Sequence, residues 1–238
     1  MSRKIRKSPV QSYTMKLAEP RQLPDVLRIM RDNFYHEETM FRSLCSGASM
    51  TDSEKMWINE YFDGTIEAAF NASPCVIAVD DETSEIVGAN VTAFSGNPKT
   101  GNNRDGLATI FSSKKSVPPL VEKYIEYLSK FNDEAKLFDK FPNAQAVWEF
   151  YAIAIDKNHR KLGLASDLME VGVALAKEAK VALVFGVFTS IYSSKSAEKI
   201  GMKTIMEFDL SVYKDVTGTS VFKDTEPHNI VSVMVLEI

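Results

Sequence analysis

Residues 147–175 read VWEFYAIAIDKNHRKLGLASDLMEVGVAL, and this stretch decides the architecture. A mostly apolar run of strand-favouring residues ends at Asp156. A short basic turn containing Gly163 follows, and then Leu164, Leu168, Val171 and Leu175 recur at helical spacing. A strand that enters a helix through such a turn builds an anion cradle. The first N–H groups of a helix have no intrahelical acceptor, and the helix dipole adds partial positive charge there. Arg160 and Lys161 add full charges, and Gly163 permits backbone conformations closed to other residues. The run is not a nucleotide P-loop, because no Gly-Lys-Ser/Thr follows, and it lacks the three glycines of a dinucleotide fingerprint. Taken alone, the turn also fits an ordinary strand–turn–helix with solvated basic residues.

Outward from this stretch the element types alternate. Residues 13–17 read as a first strand. Pro24 suits a helix start, and Val26, Met30 and Phe34 continue it. A second helix is expected over 52–70, striped by Ile58, Phe62, Ile66 and Ala69. Runs 75–79 and 85–94 flank a polar turn and predict a hairpin. Residues 96–106 read as a loop. Val121, Tyr124, Leu128 and Phe131 mark a helix expected to continue to 140. After the decisive strand and helix come a strand over 181–188, a short helix over 193–200 closed by Gly201, and strands over 204–213 and 230–236. This order predicts an α/β fold with a mixed central sheet flanked by helices. A single domain over 13–238 is expected, preceded by a disordered basic tail over 1–12.

Composition narrows the function. At 238 residues the chain can build a sizeable core without disulfide or metal staples. Cys45 and Cys75 match no metal spacing, nor do His36, His159 and His228, so no metal is expected. A net charge of −4 argues against general nucleic-acid binding. No apolar run approaches a membrane span, and the basic N-terminus lacks the apolar centre of a signal peptide. A cytoplasmic protein without membrane association is therefore expected, and a monomer is taken as its state of assembly.

The spacing Arg160-x-x-Gly163-x-Ala165 resembles the R/Q-x-x-G-x-G/A signature of the GCN5-related N-acetyltransferases (GNAT). The element order from 13 to 238 resembles theirs too. Segments 33–38 (NFYHEE), 156–165 (DKNHRKLGLA), 190–201 (SIYSSKSAEKIG) and 227–235 (PHNIVSVMV) are similar to the insect arylalkylamine N-acetyltransferase branch. The resemblance implies an acyl-CoA N-acyltransferase fold with acetyl-CoA as co-substrate. Arg160, Lys161, Gly163, Leu164 and Ala165 would hold its pyrophosphate, mainly through main-chain N–H groups. Ile153 and Ile155 would offer strand backbone to the pantetheine arm, and a main-chain N–H of that strand would serve the oxyanion. The acceptor implied is a small primary amine such as dopamine, serotonin or tryptamine. A non-aromatic amine such as agmatine or a polyamine is the alternative, as is a silent acyl-CoA-binding protein.

A primary amine has a pKa of about 10 and arrives protonated, so a base must free it before attack. The family places its base second in an acidic pair, which is Glu38 here, with Glu37 beside the substrate. The family pair is Asp-Glu before proline, whereas here Thr39 follows Glu-Glu. Both glutamates would otherwise be ordinary solvated charges. Thr189 and Ser193 match two serines assigned to proton transfer in insect relatives, Thr189 keeping the hydroxyl. Capping of the following helix equally suits Ser193. Ala197 stands where generic acetyltransferases carry a tyrosine acid. His159 is expected in solvent. His228 and Tyr192 are expected near the amine pocket, and Phe34, Tyr35 and Phe41 serve as its aromatic walls or as plain core.

Overall fold

The computed structural model describes residues 2–6, 12–100 and 116–238. Its strands are β1 (Ser2–Arg6), β2 (Ser12–Leu17), β3 (Cys75–Asp80), β4 (Ile86–Gly96), β5 (Ala146–Ile155), β6 (Leu183–Phe188), β7 (Lys203–Asp209) and β8 (Ile230–Glu237). They form one mixed sheet in the order β1-β2-β3-β4-β5-β6-β8-β7. The β5–β6 pair is parallel and the other pairs are antiparallel. The helices are α1 (Leu23–Met30), α2 (Thr39–Cys45), α3 (Asp52–Ala72), α4 (Pro119–Ala135), α5 (Leu137–Lys140), α6 (Leu164–Glu178) and α7 (Ile191–Lys199).

Local chemistry sets the element ends. Thr51 and Glu54 close a reciprocal capping box at the start of α3, and its predicted stripe of Ile58, Phe62, Ile66 and Ala69 is buried. The helix expected to run to 140 breaks at Lys136, which takes a left-handed conformation (φ 48°) and splits α5 from α4. The strand expected to reach 213 stops at Asp209, whose carboxylate accepts the Ser211 N–H and opens a 3-10 turn. Helix α2, which begins directly after the acidic pair, was not anticipated.

The expected disordered tail is corrected in part. Ser2–Arg6 pairs with β2, with Arg3 bridging to Glu170 of α6 and Lys4 to Asp81. Residues 1 and 7–11, and 101–106 of the expected loop, lie outside the described residues.

The sheet separates two cores. One, with Val26, Ile29, Phe41, Phe62 and Phe131 among its members, lies on the face covered by α1, α3 and α4. The other, with Leu164, Leu168, Val171 and Ala197, lies beneath α6 and α7. Strand β5 changes phase between them. Val91 of β4 pairs with Ala152 and the adjacent Thr92 with Phe150, so Tyr151 is an extra residue on β5. Trp148 and Phe150 belong to the α6 core, and beyond the bulge Ile153 and Ile155 pack on that same core, while Ala152 and Ala154 face the other. Strict alternation would have put these two isoleucines on the opposite face. Pairing between β5 and β6 is confined to Trp148–Val184 and Glu149–Phe185, so the strands part just where the bulge begins.

Helix α6 lies close on the sheet at Gly172, where a Cβ would meet Phe150 Cε1 at 2.7 Å. Gly172→Ala would gain about 1 kcal/mol of helix propensity but overpack this contact, which typically costs about 1–3 kcal/mol. A net loss of stability is expected in denaturant unfolding. Unchanged or raised stability would show that α6 can lift off the sheet freely.

Candidate active site

Where β5 leaves β6 a cleft of about 1260 Å³ opens. That exceeds the roughly 300–1,000 Å³ of a single small-ligand pocket and leaves room for two ligands. Every residue singled out above for cofactor, catalysis or substrate contributes to its walls.

One end of the cleft is the strand–turn–helix. Asp156 caps the turn by accepting the Asn158 N–H at 2.9 Å. Lys161 (φ 65°) and Gly163 (φ 77°) both lie in the left-handed region, and Gly163 is the residue from which α6 starts. The first-turn N–H groups of α6 therefore stand at the cleft. Leu164 is buried, Ala165 half-buried and Lys161 exposed. Arg160 is exposed, yet its guanidinium turns back on the chain: its Nε donates to Ile155 O at 3.1 Å and Nη2 to Asn33 O at 3.4 Å. Its charge stays at the cleft while its side chain braces the turn. His159, expected in solvent, is half-buried, with Nδ1 2.9 Å from the Tyr13 hydroxyl and 3.8 Å from Asp80 Oδ2. Burial, and then Asp80, hold the Tyr13 pKa above its usual value.

The acidic pair is split by the structure. Glu37 is exposed at the rim, whereas Glu38 is 6 % exposed. Glu38 is the N-cap of α2, and its Oε2 accepts the Phe41 N–H at 2.6 Å. Its Oε1 is buried and makes no hydrogen bond of good geometry. Burial raises the Glu38 pKa above the ordinary carboxylate value; the nearby Thr189 hydroxyl, the α2 N–H groups and Arg42 pull it partly back. Thr189 thus comes to Glu38. Ser193 lines the same cleft, where its Oγ donates to Ser190 O at 2.9 Å, and Ser190, rather than Ser193, caps α7.

No protein-family model matches the chain. Solved structures do. Arylalkylamine N-acetyltransferase 2 of Aedes aegypti aligns with a TM-score of 0.75 at 17% identity, over 95% of this chain and 99% of that one. A mosquito arylalkylamine N-acetyltransferase-like 5b protein aligns at 0.70 with 21% identity, over 95% and 100%. A Drosophila melanogaster polyamine N-acetyltransferase that forms N-acetylagmatine aligns at 0.69 with 17% identity, over 95% and 100%. The chain has the GNAT acetyltransferase fold.

Within this GNAT fold, the wall opposite the cradle is aromatic. Phe41 meets Phe62 edge-on at 5.1 Å and Tyr124 at 5.7 Å, and Tyr35 tilts against Phe62 at 5.1 Å. Phe34 is half-buried at the cleft. Near the mouth, His228 lies edge-on to Tyr192 at 5.2 Å, and Tyr192 is 69% exposed. His228 Nδ1 accepts the Ile191 N–H at 3.3 Å, which leaves the proton of the neutral ring on Nε2. Burial, with Arg42 adding to it, lowers its pKa.

Four cleft residues escaped the sequence reading. Tyr124 lies on α4, its pKa raised by burial, Glu38 and Tyr151. Tyr151 is the bulge residue itself, and Arg42 lies on the unanticipated α2. Glu149 is buried at the cleft. A lone carboxylate in the apolar run VWEFYAIAI was its signal, since charges are rarely buried without purpose.

The raised Glu38 pKa has a sign for stability. The folded state binds this proton more tightly than the unfolded chain, so stability is lost as pH rises from the ordinary value of 4.5 through the folded pKa. Glu38→Gln keeps an acceptor for Phe41 N–H and removes the buried charge. The variant is expected to melt above the wild type at neutral pH, with the gap closing below pH 4.5. A gap independent of pH would contradict the shift.

Proposed function

We propose that the protein transfers an acetyl group from acetyl-CoA to a small primary amine, with Glu38 as general base and an arylalkylamine as acceptor. One observation carries the reading: a buried carboxylate beside the Thr189 hydroxyl, with one oxygen lacking a well-formed hydrogen bond, lines the same cleft as a helix-start anion cradle. The cradle fits acetyl-CoA. Left-handed Lys161 and Gly163 turn the chain into α6, the α6 N–H groups and Lys161 would hold the pyrophosphate, and β5 beyond Glu149 has an edge free of β6 for the pantetheine arm. Bound there, acetyl-CoA supplies a thioester-activated acetyl group.

Glu38 Oε1 takes the ammonium proton, while Oε2 stays anchored on Phe41 N–H and fixes the carboxylate. Its raised pKa makes it a stronger base than a solvated glutamate. Thr189 would steady the charged carboxylate. Phe34, Tyr35 and Phe41 would flank an aromatic ring, and Glu37, Tyr192 and His228 would contact the amine at the mouth. One observation favours the second reading, a diamine or polyamine: Glu149 gives the cleft another buried carboxylate.

An amine panel with acetyl-CoA decides between them, read by thiol release against a no-amine control. Dopamine, serotonin and tryptamine should outrun agmatine and spermidine, with histamine as a small-ring comparison. The reverse order supports the polyamine reading, and tight acetyl-CoA binding without turnover supports a silent acyl-CoA-binding protein. On the best amine, Glu38→Gln should lower kcat about 100-fold or more. The acidic limb of the wild-type pH–rate profile should lie above the ordinary carboxylate range and vanish in this variant. Glu37→Gln should do much less. Normal turnover by Glu38→Gln would remove it as base.

A further inference from the structure

Between α1 and Glu38 the chain makes one turn of π-helix, Arg31–Tyr35, a feature often found at functional sites. The turn is gripped from two sides. On one, Arg31 reaches both carboxylate oxygens of Asp63 on α3, at 2.8 Å from Nε and 2.5 Å from Nη2, and the Tyr35 hydroxyl donates to the same Asp63 at 3.0 Å. On the other, Asn33 is 7% exposed and uses both its amide oxygen and its amide nitrogen. Its Oδ1 accepts the Lys157 N–H at 3.0 Å, and its Nδ2 donates to Ile29 O at 3.2 Å. Its carbonyl receives Arg160 Nη2 at 3.4 Å. Lys157 and Arg160 flank the turn that opens the cradle. The next carbonyl, that of Phe34, accepts the N–H groups of both Glu37 and Glu38, at 3.0 and 2.8 Å.

We propose that Asn33 is a positioning residue that locks the cradle turn and the Glu38 segment into one register, so that filling the cradle stiffens the backbone carrying Glu38. The proposal rests on the acyl-CoA reading above. A buried amide that loses its partner pays its full desolvation, which makes the Asn33–Lys157 bond a firm tie between segments 124 residues apart. An asparagine is suited to it: aspartate keeps the acceptor without the donor, and an apolar residue of similar size keeps neither. With the turn pinned to α3 through Asp63, the cradle side is where a ligand can add order.

Hydrogen-exchange mass spectrometry with CoA as the probe tests this without knowledge of the amine. In the wild type, saturating CoA should slow exchange over residues 160–167 and also over 34–41. In Asn33→Ala, CoA affinity should fall about tenfold, the scale of one lost buried hydrogen bond. At saturation the slowing over 160–167 should remain and that over 34–41 should disappear. Asn33→Asp, which keeps the Lys157 acceptor, should restore it. A merely structural role would speed exchange over 34–41 with and without CoA alike, leaving the CoA-dependent difference intact; that outcome overturns the proposal. So does wild-type slowing confined to 160–167, a result that needs no variant to fold. If CoA slows neither segment in the wild type, the acyl-CoA reading itself fails, and this inference with it.

Discussion

The parting of β5 from β6 is the constraint on which the rest of the structure depends. A continuous sheet would pair every backbone group of β5 and leave no cleft. The extra residue at Tyr151 breaks that continuity on one strand without unpairing β5 from β4. The same bulge turns Ile153 and Ile155 toward α6 and keeps the strand's free edge beside the start of that helix. Helix α6 then has to sit low on the sheet for its first turn to meet the cleft, and the bare Gly172 allows that approach.

Burial of Glu38 is the second organising fact. Two opposing effects act on this carboxylate. Desolvation favours the neutral acid, whereas the α2 N–H groups, Thr189 and Arg42 favour the anion. Desolvation is the larger, so the group is more basic than its exposed neighbour's type would be in water. The arrangement resembles what proton abstraction requires, and it costs stability at neutral pH, as sites tuned for chemistry commonly do.

Much of the scaffold was legible because burial on one face imprints a period. Leu164, Leu168, Val171 and Leu175 announced α6, and Ile58, Phe62 and Ile66 announced α3. Gly163 and Gly201 marked turns that take positive φ. What stayed hidden depends on partners distant in sequence. Strand β1 is tied down by Glu170 and Asp81, which no local pattern reveals. Helix α2 has seven residues, too few to display a period, and its cap is the same glutamate that a family resemblance had already claimed for chemistry. The bulge was masked because β5 is apolar on both faces, so a slipped phase leaves no trace in the residue types. The gathering of the candidate site residues around one cleft was legible from the resemblance; the division of the acidic pair into one buried and one exposed member was not.

Helix α2 is anchored by a group whose charge is conditional. Its N-terminal cap is Glu38, and an anionic cap interacts with a helix start more favourably than a neutral one. The helix's far side is stitched to the 223–225 segment, where Ser43 Oγ donates to Lys223 O and accepts its N–H, and Ser46 donates to Asp224. That segment leads directly to His228 at the cleft mouth. The carboxylate at the centre of the cleft is therefore also the fastening of a strut whose far side is stitched to the segment that leads to the rim of the same pocket.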